Sequence, residues 1–304
     1  MKNVSLKINS INYDDYYKLS KSMSDELLQS IKVYGVIDPI FVFPENSMFR
    51  ILSGHNRYLA ASALQLKDIP VKIIENDILE NLYNTAILKK YNKQLGFISK
   101  IKFVMIFNKD KEINNLDYSA LMAIPEEAYS DSDTVEAIMT LPETMKTYLN
   151  DRDVSYKTIK KLIHIDNEIV QLLSAFLTGT DFRVNYLRNI VDMMFDMQKI
   201  SLQSNIIDVL KQLLTCEDSE KKDQVLYENM FKCRYPEYSQ LKIESEKVAA
   251  KYKKYGIAVK YPDYFEGGEV HLEMSISKKD KGSSFIKTID KLDELDVNEL
   301  LSFL

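Results

Sequence analysis

The sequence predicts a mostly helical α+β protein, and three observations support that fold class. The 304 residues are 45% hydrophobic and 28% charged, which is the balance of a globular protein with a sizeable core. Only 8 Gly and 7 Pro interrupt the chain, whereas all-β designs need frequent turns. Apolar residues recur at helical spacing through the middle, and short alternating segments lie near both ends. Long helices should therefore dominate, with small sheets towards the ends.

Charge is distributed unevenly along the chain, although the formal net charge is only −5. Residues 1–110 contain 15 basic and 11 acidic residues, residues 111–220 contain 10 and 19, and residues 221–304 contain 15 of each. The three segments differ in net charge, being positive, negative and neutral in turn, and this predicts three domains. We place them at residues 1–82, 83–215 and 225–304. The slightly negative net charge excludes a protein whose whole surface is basic and coats nucleic acid.

The sequence contains none of the usual signals for export or membrane insertion. Met1 to Asn12 alternates apolar and polar residues, which is typical of a strand and not of a signal peptide. No run of about 18 uncharged apolar residues occurs, as a membrane span would require. Cys216 and Cys233 lack the paired spacing of a zinc site. We therefore expect a reduced, cytoplasmic protein with no membrane partner.

Residues 1–82 predict an α/β domain in the order strand, helix, strand, strand, loop, helix, strand. Ser24 is a suitable N-cap for the first helix, two acids follow it at the positive end of the helix dipole, and Gly35 suits a left-handed C-cap. The other predicted elements are strands at residues 4–11, 39–43, 49–52 and 68–74 and a helix at residues 58–66.

The junction between the third predicted strand and the second helix has the features of an anion site. Gly54 allows the backbone to approach a ligand, the start of the helix offers unpaired N–H groups, and Arg57 supplies a planar donor fork. This combination is suited to phosphate. The alternative is purely structural, with Gly54 in a turn and Arg57 in a surface ion pair.

Three motifs resemble the N-terminal domain of ParB-type partition proteins of chromosomes and plasmids. Residues 27–40 match a helix followed by "G-x-x-x-P-I", and residues 49–61 match a strand followed by "G-E/H-R-R-x-x-A". Ile69 and Pro70 match the "I-P" of the last strand. Because the order and spacing agree, the resemblance implies a ParB/sulfiredoxin-like fold for residues 1–82.

The resemblance also implies a site for CTP and Mg²⁺, in which the glycine-arginine loop holds the triphosphate. It assigns cofactor binding to Gly35, Asp38, Pro39, Ser53, Gly54, His55, Asn56, Arg57, Lys90, Asn92 and Lys93. Asn56 replaces the first arginine of the family's pair. The family's third contact region, "E-N-x-x-R", falls at residues 89–93, where the acid is missing and Lys93 replaces arginine. Phosphate binding tolerates these departures better than hydrolysis does, so we expect at most a weak CTPase, with catalytic residues and protein metal ligands unassigned.

The same fold carries other chemistries, so an enzyme stays the alternative. Sulfiredoxins of similar sequence need a cysteine before the histidine-arginine pair, and residues 1–110 contain no cysteine. A nucleotide-dependent small-molecule kinase or a nuclease would use an acid, for which Glu26, Glu45, Glu75 and Glu80 are undistinguished candidates.

The middle segment resembles the helix-turn-helix domain of the same family over residues 141–155 and 182–191. We place DNA contacts at Lys157, Lys160, Lys161, Arg183 and Arg188. The helix-turn-helix should lie within residues 118–138. This stretch is acidic, with Glu126, Glu127, Asp131, Asp133 and Glu136, where a major-groove helix needs basic and amide side chains. Sequence-specific DNA reading should therefore be weakened, altered or lost.

The C-terminal segment predicts a small α+β domain. Its expected elements are a helix at residues 243–255, strands at 257–260 and 269–276, and helices at 285–292 and 297–304. This order resembles the family's dimerisation domain and implies a homodimer. Together the resemblances predict a CTP–Mg²⁺-dependent DNA clamp for partition, associated with a nucleoid or plasmid and partnered by a partition ATPase.

Overall fold

The computed structural model describes residues 2–109, 118–129, 131–178, 181–215, 221–274 and 297–304. The chain divides into two compact units, Met1–Gln224 and Val225–Leu304. The elements within them confirm the mostly helical α+β class. The finer division into three domains at residues 82 and 215–225 stays a prediction.

The first unit opens with a five-stranded mixed sheet in the order β1-β5-β3-β4-β2. Its elements are β1 (Lys2–Lys7), β2 (Ile11–Asn12), α1 (Asp25–Tyr34), β3 (Ile40–Glu45), β4 (Met48–Ser53), α2 (His55–Ala63) and β5 (Asp68–Ile73). β1 pairs antiparallel with β5, β5 parallel with β3, β3 antiparallel with β4, and β4 parallel with β2. The single strand predicted at residues 4–11 is two strands, because a short 3₁₀ turn at Ile8–Ser10 interrupts it.

Local sequence determines how α1 begins and ends. The Ser24 hydroxyl accepts a hydrogen bond from the Leu27 N–H at 3.3 Å, and Gly35 follows the helix with φ +71°. The predicted Ser24 cap is confirmed, and Gly35 ends the helix with the predicted positive φ, although its ψ of −172° lies outside the left-handed helical conformation. On the sheet, Ile40, Val42, Ile69 and Val71 are fully buried and form the centre of its core with Ile51.

A single residue, Gly54, turns the chain from β4 into α2. Its φ is +98°, a conformation that L side chains rarely adopt. A Cβ at this position would lie 2.6 Å from Cγ2 of Ile40. Glycine is therefore required both by the backbone conformation and by the packing of the turn against β3.

The rest of the first unit is helical. Its helices are α3 (Ile78–Tyr91), α4 (Phe97–Lys109), α5 (Tyr118–Met122), α6 (Ser132–Met139), α7 (Glu143–Asp151), α8 (Tyr156–Leu162), α9 (Asn167–Phe176), α10 (Val184–Lys199) and α11 (Gln203–Leu214), and α12 (Lys222–Arg234) contains the unit boundary. Leu52 on the sheet shares a buried cluster with Leu82, Phe103 and Met122 from α3, α4 and α5. These helices therefore pack on the sheet as part of one core.

The second unit contains α13 (Pro236–Lys253), β6 (Ile257–Lys260), β7 (His271–Met274) and α14 (Val297–Leu301), with β6 and β7 antiparallel. Val248, Tyr252, Ile257 and Leu300 form its core. The predicted helix at residues 285–292, together with Cys216 and residues 275–276 of the predicted strand, lies outside the described residues. Among the helices that are described, none is long and apolar enough to cross a membrane.

Candidate anion-binding site

A cavity of about 510 Å³ lies where the start of α2 meets α1 and the end of α3. Its size is within the usual range for small-molecule sites. We call it the α2 cavity. Seven of the residues that the sequence predicted for cofactor binding line it: Asp38, Ser53, Gly54, His55, Asn56, Arg57 and Lys93.

The start of α2 provides the backbone donors of this cavity. Gly54 is the N-cap and has no side chain to bond the first turn, and the first intrahelical bond runs from Tyr58 N–H to Gly54 C=O at 3.0 Å. The N–H groups of His55, Asn56 and Arg57 therefore precede the helical ladder. Such groups, together with the positive end of the helix dipole, favour an anion.

Arg57 lies across the beginning of β3. Its Nη1 donates to the Asp38 backbone C=O at 2.5 Å, to the Pro39 C=O at 3.1 Å, and also to the Asp38 carboxylate. The Arg57 side chain is 22% exposed, whereas the Asp38 side chain is 75% exposed. An ion pair with so exposed a partner is worth little. A phosphate could therefore take over the guanidinium from Asp38 at small cost.

Lys89 places a second cation at the cavity. Its Nζ donates to the Leu19 C=O at 2.8 Å, and the described part of the chain offers it no carboxylate within ion-pair distance. Burial lowers the pKa of the Lys89 ammonium to about 8, and the neighbouring positive charge of Arg57 adds to the effect. The Lys89 ammonium is therefore poorly solvated and uncompensated, which favours binding of an anion beside it.

His55 forms part of the cavity wall and is 2% exposed. Neither ring nitrogen has a hydrogen-bond partner among the described residues. Burial lowers the pKa of His55 to about 3, with smaller contributions from the positive charges of Lys89 and Lys18. The imidazole is therefore neutral at physiological pH, and both of its nitrogens are unpaired.

The opposite wall of the cavity is the segment between β2 and α1, which is fixed by side chains distant in sequence. Asn56 Nδ2 donates to the Lys21 C=O at 2.9 Å, and Asn150 Nδ2 on α7 donates to the Ser20 C=O at 2.9 Å. The Ser22 N–H donates to the Asp151 carboxylate at 2.7 Å. The wall is therefore tied both to α2 and to the helical part of the first unit.

Four of the predicted cofactor-binding residues do not line the cavity. Gly35 caps α1, Pro39 contributes only the carbonyl that Arg57 contacts, and Asn92 caps α3. Lys90 Nζ donates to the Leu121 C=O and so is directed towards α5. Their assignment to a ligand stays a prediction without support from the cavity geometry.

Sequence reasoning did not assign the other half of the lining, which is Ser20, Lys21, Ser22, Ser24, Leu27, Lys89 and Gln94. The sequence marks Lys89 only as one of the cations of the third contact region. The rotation of α3 about its axis directs Lys89 into the cavity and Lys90 towards α5. Lys93 lies beyond the Asn92 C-cap with φ +56°, so helical spacing does not relate it to Lys89, and no sequence signal pairs the two.

The predicted DNA-contacting residues lie on α8 and at the start of α10. Lys160 Nζ pairs with Glu127 at 2.6 Å, and Lys161 Nζ pairs with Asp192 at 2.6 Å. Lys157 and Arg188 are exposed. Two of the cations on α8 therefore already have carboxylate partners in the same chain.

Arg183 is also committed to an internal contact. Its Nε and Nη2 bond the two oxygens of Asp223 at 2.6 and 3.2 Å, and its backbone N–H bonds the same carboxylate at 3.2 Å. The Asp223 side chain is only 8% exposed, and the Arg183 guanidinium keeps the pKa of that carboxyl below its usual value. This ion pair therefore joins the start of α10 to the start of α12.

The α6 helix lies where the helix-turn-helix was predicted. Asp131 caps it by accepting hydrogen bonds from the N–H groups of Asp133 and Thr134. Asp133 and Glu136 are exposed on the helix itself. The surface of α6 is therefore acidic where DNA phosphates would approach.

The α2 cavity fits a phosphate chain better than it fits a metal ion. Lys21, Arg57, Lys89 and Lys93 line it, whereas Asp38 is the one acidic residue among the described lining residues. No cluster of three or more His, Cys, Asp or Glu suited to a metal occurs in the parts of the chain that the structure describes. Magnesium that accompanies a nucleotide is usually held by one or two carboxylates together with waters and phosphate oxygens, and the one carboxylate of the described lining, Asp38, is already bonded to Arg57.

The family model of the ParB N-terminal domain matches residues 2–87. Residues 2–87 are a ParB N-terminal domain. This ParB N-terminal domain contains the whole five-stranded sheet, α1, α2 and most of α3. Homologues include the nucleoid occlusion proteins of Bacillus cereus and Bacillus anthracis, each 28% identical over 149 residues, or 49% of this chain and 50% of theirs. The chain thus spans about half the length of the curated relatives it matches.

Solved structures of low overall similarity were also found. Sulfiredoxin from Arabidopsis thaliana is 27% identical, with 28% of this chain and 96% of that chain covered and a TM-score of 0.20. The C-terminally truncated chromosome-partitioning protein ParB from Caulobacter crescentus, complexed with CTP-γ-S, is 17% identical, with 70% and 99% covered and a TM-score of 0.27. A Pnob8-like ParB-N domain is 14% identical, with 75% and 97% covered and a TM-score of 0.35.

Proposed function

We propose that this chain is a ParB-like partition or segregation protein in which CTP, bound in the α2 cavity, favours a closed and self-associated state on DNA. The observation that carries the proposal is the convergence of Arg57, Lys89 and the free N–H groups of α2 on one cavity of a ParB N-terminal domain. The choice of cytosine follows from the resemblance of the three motifs to those of ParB proteins.

The cavity is chemically suited to a triphosphate. Four cationic side chains line it, and the guanidinium of Arg57 offers a planar fork for phosphate oxygens. The ammonium of Lys89 gains most from an anion, because in the free protein it is desolvated without a counter-ion.

Large apolar side chains are exposed on the elements that border the cavity. Val33, Tyr34 and Ile37, at and just beyond the end of α1, are 67%, 72% and 76% exposed. On α3, Leu88 and Tyr91 are 65% and 76% exposed. Exposed apolar side chains in such a group are typical of an interaction surface. We propose that a second copy covers them when CTP is bound, since a ligand shifts a conformational equilibrium only through its differential affinity.

DNA binding in this proposal is weakly sequence-specific. The acidic surface of α6 repels phosphates, and Lys160, Lys161 and Arg183 are already paired within the chain. Exchange of these pairs for DNA phosphates would yield a modest and salt-sensitive affinity. A clamp retained on DNA by closure needs less base recognition than a repressor does. Association with a nucleoid or plasmid and with a partition ATPase follows from the family resemblance.

Among the described residues of the cavity, no carboxyl or imidazole group is poised as an acid or base for the enzyme alternative, and Lys89, whose pKa is about 8, is bonded to the Leu19 carbonyl. A general base works best with a pKa near the operating pH, whereas burial lowers the pKa of His55 to about 3. Asp38 is bonded to Arg57 and exposed to solvent. A small-molecule kinase or nuclease is therefore the less favoured function.

Titration calorimetry of the full chain with CTP, ATP, GTP and UTP tests the proposal. We expect selective CTP binding that Arg57→Ala abolishes and that Lys67→Gln, an exposed substitution outside the cavity, leaves unchanged. Sedimentation velocity with and without CTP should then show nucleotide-dependent association, which Tyr34→Ser weakens. Failure to bind any of the nucleotides would refute the proposal.

A further inference from the structure

The charges around the α2 cavity are unusual for a site that is expected to hold a nucleotide together with a divalent metal. Within the described lining, Asp38 is the one carboxylate, and it is already bonded to Arg57. At nucleotide sites magnesium takes most of its oxygen ligands from waters and phosphates, but it usually also takes one or two protein carboxylates. At the position where the family's third motif carries an acid, this chain places Lys89.

The Lys89 ammonium is held at a fixed place beside the cavity. Its Nζ bonds the carbonyl of Leu19, a residue that is 1% exposed and belongs to the buried core. The start of α2 is close enough for the positive charge of Arg57 to lower the Lys89 pKa. Lys89 is thus a preorganised positive charge and not a mobile surface side chain.

We propose that the Lys89 ammonium supplies the positive charge that a magnesium ion would otherwise supply, so that the α2 cavity binds the triphosphate of a nucleotide without a metal. This inference rests on the proposed function. The ammonium and the Arg57 guanidinium compensate the phosphate oxygens directly, and neither requires a protein carboxylate. A metal ion added to the free cavity is repelled by both cations.

The proposal also fixes the direction of any effect of magnesium. A magnesium ion bound to a free triphosphate cancels part of its negative charge. The complex is therefore attracted less strongly to a cavity lined by Lys21, Arg57, Lys89 and Lys93 than the free triphosphate is. At constant ionic strength, magnesium should leave the affinity unchanged or lower it.

The experiment is calorimetric titration of the full chain with CTP in EDTA and in excess MgCl₂, with KCl used to match ionic strength. We expect the wild-type affinity in EDTA to equal or exceed that in MgCl₂. Lys89→Gln should lose about tenfold or more in EDTA, as expected for a lost charge-assisted contact. Lys89→Glu should bind only when MgCl₂ is present, because its carboxylate can ligate the ion. The exposed control Lys67→Gln should match the wild type.

The outcomes separate this inference from the proposed function. Wild-type binding that requires MgCl₂ overturns the inference and leaves the proposed function intact. No binding in either medium overturns both. Binding by Lys89→Gln in EDTA as tight as that of the wild type also overturns the inference. If circular dichroism shows that a Lys89 variant is unfolded, the wild-type comparison alone decides.

Discussion

Raising the pH from about 7 to about 9 should weaken triphosphate binding, and the structure sets the size of the effect. In the free protein, burial and the Arg57 charge lower the pKa of Lys89 from 10.5 to about 8. A phosphate beside Nζ stabilises the ammonium, so the pKa rises on binding. Because the bound form holds the proton more tightly, the affinity is full below about pH 8 and falls as the pH rises through that value.

The magnitude follows from the difference in proton occupancy. If the bound state restores the ordinary pKa of 10.5, the affinity falls by about tenfold between about pH 7 and about pH 9. The phosphate itself does not produce this trend, since its last ionisation lies near pH 6. His55 does not contribute either, because burial keeps its pKa at about 3.

Calorimetry at constant salt across this range measures the effect, and repeating it in buffers of different ionisation enthalpy measures the proton taken up. Lys89→Gln should flatten the profile, whereas Lys67→Gln should retain it. A wild-type affinity that is constant or increases with pH would show that Lys89 does not contact the anion.

Three further predictions concern stability and DNA. Gly54→Ala should lower the free energy of unfolding by about 1–3 kcal/mol in urea denaturation, through backbone strain and overlap with β3; an unchanged midpoint would contradict this. Arg183 lowers the pKa of Asp223, so their ion pair stabilises the fold at neutral pH and this contribution is lost as the pH falls through the lowered pKa. In urea denaturation at acid pH, the free energy of unfolding of Asp223→Asn should therefore depend less on pH than that of the wild type. The double variant Asp133→Asn, Glu136→Gln removes two exposed negative charges from α6, so it should bind duplex DNA about fivefold more tightly than the wild type at low salt. Fluorescence anisotropy measures this difference, and equal affinities would show that DNA does not approach α6.

The parts of the fold that local sequence determines were predictable. Ser24 and Gly35 define α1 because capping and left-handed conformations depend on a few neighbouring atoms. The order of strand, turn and helix at Gly54 was predictable for the same reason, but the helix predicted at residues 58–66 begins three residues earlier, at His55, and ends at Ala63. The break between β1 and β2 was not, because the alternation of apolar residues continues through the 3₁₀ turn that separates them.

The cavity could be predicted only in part, because half of its lining depends on tertiary contacts. The segment at Ser20 to Ser22 has no sequence feature of a binding site, and it lines the cavity because Asn56 and Asn150 hold it there. The difference between Lys89 and Lys90 depends on how α3 is rotated against the sheet. Similarly, the ion pair of Arg183 with Asp223 joins residues 40 positions apart, which no local pattern indicates.

The hydrogen bonds from α7 to the Ser20–Ser22 wall have a practical consequence for where the molecule can be cut. The recognisable ParB N-terminal domain ends at residue 87, before Lys89 and Lys93 and well before Asn150. A fragment ending there would retain the sheet and the α2 donors, but it would lack two cations and the anchors of one wall. The segment that forms the α2 cavity is therefore longer than the segment that the ParB N-terminal family model matches.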